Sequence, residues 1–442
     1  MNSIAGFPYF EIQFNKAGEA CVASEVEALL AYLQQNPVSD LFVISHGWLT
    51  DMQGARSLYT RFFEQVRSVL DGNKVASLGT RSYVVLGVLW PSKKFTDPNQ
   101  IAGGAAGLAA STEEAVEEQL AGLEEWLGEE EGAAEKMAAL RALIPQLEDD
   151  ETARAQFADG VRALLTQGAA EEEDGSEALF DLGSDDLMQK LSEPILVAPE
   201  PSGEGGAAEL GDFSDAVGGG AAGLISLGGF IGAAENLLNY ATYYEMKARA
   251  GLVGSKGLNP LLAKIHTLQP SLKLHLVGHS FGGRLVAATA LGTAQPNSLQ
   301  FQTLCLLQTA FSHFGFAQKL DGKKDGFFRK VIENHAIIGA TLITHTKNDK
   351  AVGVAYPIAS ALAKDNAAGL GDADDSYGAI GSNGALKTPE AIPGLLLQAV
   401  GQPYKFQAGK LHNLLADSYI KDHGDICKPE VAYALLTAVA MS

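Results

Sequence analysis

Residues 272–290 read LKLHLVGHSFGGRLVAATA, and this stretch decides the fold. Its first part, LKLHLV, is a short apolar run of the kind buried in a parallel sheet, and its second, GRLVAATA, is built of helix-compatible residues. Between them Gly278-His279-Ser280-Phe281-Gly282 fits G-x-S-x-G in the strand-then-helix context that gives this motif chemical meaning. Glycine is needed at Gly278 and Gly282 because the serine occupies a strained strand-to-helix turn, where side chains two residues away would collide with neighbouring elements. The turn lifts the hydroxyl above the sheet and aims a helix N-terminus at it, so the helix dipole favours negative charge developing there. Strand before and helix after favour a nucleophile over a simple turn serine.

Outward from this point the chain alternates strand and helix. On the N-terminal side, FPYFEIQF (7–14) predicts a strand and SEVEALLAYLQQN (24–36) a helix. DLFVISHGW (40–48) predicts a buried strand, and DMQGARSLYTRFFEQVRSVL (51–70) an amphipathic helix capped by Thr50 or Asp51. SYVVLGVLWPS (82–92) is the next strand, closed by Pro91. Residues 236–268 predict helix with a break at their Gly, Asn and Pro residues. TLCLLQTAFSH (303–313) and AIIGATLITHTKND (336–349) predict buried strands, KLHNLLADSYI (410–420) a last strand, and residues 422–440 a loop and closing helix. Such alternation gives an α/β fold, a mostly parallel central sheet flanked by helices.

From residue 99 to 235 the pattern breaks, so the core is expected in 1–98 and 236–442 with a large, mainly helical insertion between. Residues 113–215 hold 29 acidic and 5 basic side chains, whereas the rest of the chain holds 24 and 27. The net charge of −21 thus belongs to one segment, and it excludes nucleic acid as a partner, which needs clustered Lys and Arg. The insertion ends in 216–234, an uncharged run with seven glycines that just reaches the length of a bilayer span. So much glycine makes a poor helix, and a buried or cap-forming segment is expected there, with membrane-surface contact or a true span as the alternatives. The three cysteines, Cys21, Cys305 and Cys427, have no metal-ligand spacing, and the N-terminus lacks a basic region followed by an apolar one. A reduced, cytoplasmic protein without a cleaved signal peptide is expected, although export by a route that needs no signal stays open.

The Ser280 motif in this context resembles the serine hydrolases of the α/β-hydrolase superfamily, of esterase or lipase type, over 1–98 and 236–442 but not over the insertion. The resemblance implies a Ser-His-Asp triad in the chain order serine, acid, histidine, and an oxyanion loop after an early strand. His46-Gly47-Trp48 resembles that loop, which assigns the oxyanion to the backbone N–H groups of Trp48 and Phe281 and leaves His46 as a loop-shaping hydrogen bonder. His423, in KDHGDI after the last strand, takes the position of the base. His279 lies inside the motif, His275 and His345 lie in or near strands, and His412 sits at the start of the last strand in a structural role. Asp349, in THTKND, takes the position of the acid. Asp321 is the alternative, and Asp425 is too close to His423 to be favoured.

The resemblance therefore implies ester hydrolysis through an acyl-enzyme with Ser280, His423 and Asp349, a small-molecule or lipid ester as substrate, the insertion as cap or lid, and no metal or organic cofactor. A different class of function is a membrane-active or interaction protein in which residues 99–235 carry the activity on a hydrolase scaffold. Asp372, Asp374 and Asp375 partly echo a calcium loop, but the liganding pattern and terminal Glu are missing and a polar loop is expected. Trp48, Trp90 and Phe311 are candidates for an acyl pocket or for core. The oligomeric state has no signature in the sequence.

Overall fold

A computed structural model of the chain describes residues 2–48, 50–92, 112–127, 132–165, 176–193, 229–293, 299–320, 322, 324–349 and 378–442. The elements of the first half are β1 (Asn2–Ile4), β2 (Phe7–Gln13), α1 (Ala23–Gln35), β3 (Asp40–Ser45), α2 (Met52–Asp71), β4 (Tyr83–Leu89), α3 (Glu113–Leu127), α4 (Ala133–Leu143), α5 (Glu151–Arg162), α6 (Ala178–Asp181) and α7 (Ser184–Leu191). The second half adds α8 (Phe230–Leu252), a π-helical segment (Val253–Leu258), α9 (Asn259–Leu268), β5 (Lys273–His279), α10 (Phe281–Leu291), β6 (Thr303–Leu307), α11 (Arg329–Glu333), β7 (Thr341–His345), α12 (Ile380–Asn383), β8 (Ala391–Leu396), β9 (Leu411–Leu415) and α13 (Pro429–Val439).

The nine strands form one sheet in the order β1-β2-β4-β3-β5-β6-β7-β9-β8, parallel except for β1 against β2. This is an α/β-type fold. The central strands are covered on both faces, which is why they read as continuous apolar runs: every residue of β3 is buried. Alternation along the strand still divides the faces. Phe42 and Ile44 join a cluster with Tyr59, Phe62 and Phe63 of α2 and Leu435 and Leu436 of α13. Leu41 and Val43, equally buried, lie outside that cluster. Asp51 caps α2 as expected, its carboxylate accepting the Gly54 N–H at 2.6 Å.

Three departures from the sequence expectation have physical causes. The break expected within 236–268 is absent, because α8 passes through the π segment into α9. Pro260 falls in the first turn of α9, where its missing N–H is tolerated. Gly254 and Gly257 serve close packing: a Cβ would lie 2.1 Å from the Leu285 carbonyl oxygen and 2.3 Å from that of Gly18, respectively. β6 ends at Leu307, short of the predicted strand, since Gln308 takes a positive φ of 43°. The edge strands β1 and β8 were not predicted. β1 is three residues long, and Pro393 and Gly394 (φ 72°) in β8 read as strand breakers. At an edge they are tolerated, and the register shift between Ile392 and Leu395 follows from them.

The chain divides into two compact units, Met1–Ser92 with Arg249–Val352 and Ala379–Ser442, and Lys93–Ala248 with Gly353–Gly378. The first holds the whole sheet. Among its described residues the second is helical and has its own core, in which Leu120, Met137, Leu140, Phe157, Val161, Leu187 and Leu191 are buried. No helix among the described residues is long and apolar enough to cross a membrane. Most of the glycine-rich run, residues 216–228, lies outside the described residues, as do Asp321, Asp372, Asp374 and Asp375.

Candidate active site

Ser280 joins β5 to α10 with φ 55° and ψ −126°, a conformation that L-residues seldom adopt. The surroundings hold it there. Its N–H donates to the Leu307 carbonyl at 3.0 Å, and its own carbonyl accepts from Gly283 at 2.9 Å and Ala310 at 3.2 Å. The flanking glycines are needed for close approach. A Cβ on Gly278 would lie 2.3 Å from the Gly282 carbonyl oxygen, and one on Gly282 would lie 2.3 Å and 2.4 Å from the carbonyl oxygens of Ser45 and His46. Gly47 completes the enclosure, since a Cβ there would stand 2.7 Å from Ser280 Cβ and 3.2 Å from its Oγ. The loop after β3 is therefore pressed against the serine, which is 3% exposed.

That loop is shaped by His46. Its Nδ1 donates to the Gly47 carbonyl at 2.9 Å and its Nε2 accepts the Trp90 N–H at 3.3 Å, which fixes one neutral tautomer. Trp90 Nε1 donates to the His46 carbonyl at 2.9 Å, and the two rings stack at 5.6 Å. Burial pushes the imidazole down to about 4, so it stays uncharged and is no base. Trp48 follows Gly47 and sets its ring edge-on to that of Phe281 at 6.0 Å. Phe281 is the first residue of α10. Trp90 and Phe311 are core residues, 3% and 1% exposed, and Phe311 packs against Phe316 and Phe328.

The structure brings His423 and Asp349 together from positions 74 apart in the chain: His423 Nδ1 donates to Asp349 Oδ2 at 2.8 Å. The carboxylate is fully buried, whereas the imidazole keeps 18% of its side-chain surface exposed. With Nδ1–H donated to the carboxylate, this tautomer carries its lone pair on Nε2. The pair is tied to the serine turn through His279, whose Nε2 donates to the His423 carbonyl at 2.8 Å and whose ring lies 4.7 Å from that of His423. Burial, then the neighbouring His423, holds His279 down at about 3. The two loops are laced together by Asn348, whose amide donates to the carbonyls of Asp417 and Ile420.

The competing residues are engaged elsewhere. Asp425 accepts the Lys421 N–H and pairs with Lys428. His275 bonds Asp40 and Thr303 inside the sheet. His412 accepts the Gln407 N–H and donates to the Thr341 carbonyl. Sequence reasoning missed Gln308, whose amide nitrogen lies 3.3 Å from Asp349 Oδ2. Its position just after β6 carries no compositional signal. Among the described residues no group of three or more His, Cys, Asp or Glu side chains is placed to hold a metal ion.

The arrangement joins a serine held above a helix N-terminus, a histidine oriented by a buried carboxylate, and a glycine loop closed over the hydroxyl. No family model, curated protein or solved structure matches the chain.

Proposed function

We propose that the protein is a serine hydrolase of α/β-hydrolase type that cleaves carboxylic esters through an acyl-enzyme. The observation that carries this reading is the His423–Asp349 hydrogen bond of 2.8 Å in a loop tied by His279 to the strained Ser280 turn. In this mechanism Ser280 Oγ attacks the ester carbonyl while His423 Nε2 takes its proton, and Asp349 holds the imidazole in its tautomer and stabilises it once charged. The N–H groups of Trp48 and Phe281 receive the oxyanion at the start of α10, where the helix dipole acts in the same sense. Losing one such donor costs about 10²- to 10³-fold in rate. Collapse expels the alcohol, protonated by His423, and water then takes the same route to release the acid.

In the chain the acidic segment follows β4, whose carboxyl end lies at the same edge of the sheet as those of β3 and β5. We take it as the cap that selects which small-molecule or lipid esters reach the serine. Its charge disfavours anionic membranes. Two measurements test the proposal. Ser280→Ala should abolish turnover of p-nitrophenyl esters and labelling by a fluorophosphonate while the protein stays folded, and unchanged turnover rejects the mechanism. A chain-length series with and without micelles then separates the substrates, because preference for short acyl chains without interfacial activation rejects a lipase.

A further inference from the structure

Resting on the hydrolase reading above, we propose that Gln308 is a positioning residue for the triad acid: its carboxamide clamps Asp349 Oδ2, the oxygen that holds His423 Nδ1, to the backbone of α12. Gln308 Nε2 lies 3.3 Å from Asp349 Oδ2 and 3.1 Å from the Gly381 carbonyl oxygen. Both neighbours are pure acceptors, so the amide has one sensible orientation, since the reverse would set its oxygen against a carboxylate and a carbonyl. The side chain has little room to leave. Gln308 is fully buried, and its backbone N–H donates to Thr344 Oγ1 on β7 at 3.3 Å, directly ahead of the Asp349 loop. Gly381 is pressed onto it, with a Cβ there only 2.6 Å from the Gln308 carbonyl carbon, and the Gly381 carbonyl is itself fixed by the Thr346 N–H at 3.0 Å.

The backbone adds an independent observation. Gln308 is a buried non-glycine residue at φ 43°, and it follows Leu307, whose carbonyl receives the Ser280 N–H. A residue chosen for that turn alone would be glycine or asparagine. Glutamine at this position is explained by what its amide reaches. Being neutral, it orients the carboxylate without cancelling the charge that the imidazolium requires, which a lysine or arginine would do.

The test uses the full chain with p-nitrophenyl acetate and the proton NMR signal of His423 Nδ1–H, which lies far downfield when bonded to a carboxylate. Gln308→Met keeps the length and removes the donor. Gln308→Gly relaxes the backbone and removes the donor as well. Both should lose about tenfold or more in kcat with KM nearly unchanged, as expected for a hydrogen bond to a charged group, and both should move or broaden the downfield signal. If Gln308 serves only the turn, Gln308→Gly retains wild-type kcat and an unmoved signal, and that result overturns the proposal even where Gln308→Met fails to fold. Failure of the wild-type chain to hydrolyse the ester and to take a fluorophosphonate at Ser280 would remove the hydrolase reading itself.

Discussion

Ser280 is the residue where local conformation and chemistry meet. At φ 55° a side chain is strained, and the cost is borne by the hydrogen bond from the Ser280 N–H to the Leu307 carbonyl and by those that its own carbonyl accepts from Gly283 and Ala310. This separates two variants that both lack the hydroxyl. Ser280→Ala keeps the strain, whereas Ser280→Gly relieves it, so the glycine variant should be more stable by about 1 kcal/mol, measured by urea denaturation. Equal stability would show that the turn is relaxed. At this scale Ser280, Gly278, Gly282, Asp349 and His423 were legible because each stands at a strand end or in a motif with a fixed spacing. Gln308 was not, since its role depends on partners 41 and 73 positions away and on a φ that sequence does not announce.

Among the elements, strands buried on both faces were the easiest to read, because β3, β4 and β5 are mostly apolar and almost wholly buried. Edges and glycines were harder. β8 contains Pro393 and Gly394 and reads as loop, and the glycines of the π segment read as a break although they serve contact with α10 and with Gly18. The same residue type thus has opposite consequences in two helical settings. Gly254→Ala should cost about 1–3 kcal/mol, since its Cβ would meet the Leu285 carbonyl of α10 at 2.1 Å. Gly122→Ala in α3, where a Cβ meets nothing within 4 Å, should instead stabilise by roughly 0.5–1 kcal/mol. Thermal denaturation of the two variants checks both signs.

For the whole molecule, buried histidines add to its sensitivity to acid. Burial holds His46 at about 4 and His313 at about 3, while both return to about 6.5 when the chain unfolds. Between these values the unfolded chain binds more protons. Stability that is complete above about pH 6.5 is therefore lost as pH falls toward the folded values, by up to about 1.4 kcal/mol per pH unit for each group. Urea denaturation at pH 7.5 and pH 5 should show the loss, and equal midpoints would mean that these rings are solvated. A second property follows from the order of the strands. β3 lies between β4 and β5, and Asp40 of β3 finds its partner His275 of β5 only 235 positions later. On a ribosome adding roughly 5–20 residues per second, one edge of β3 therefore waits about 10–50 s for its neighbour. Helices α3 to α7 emerge during that wait, ahead of the strand that carries Ser280. The nascent chain accordingly has an open strand edge to protect until β5 has been made.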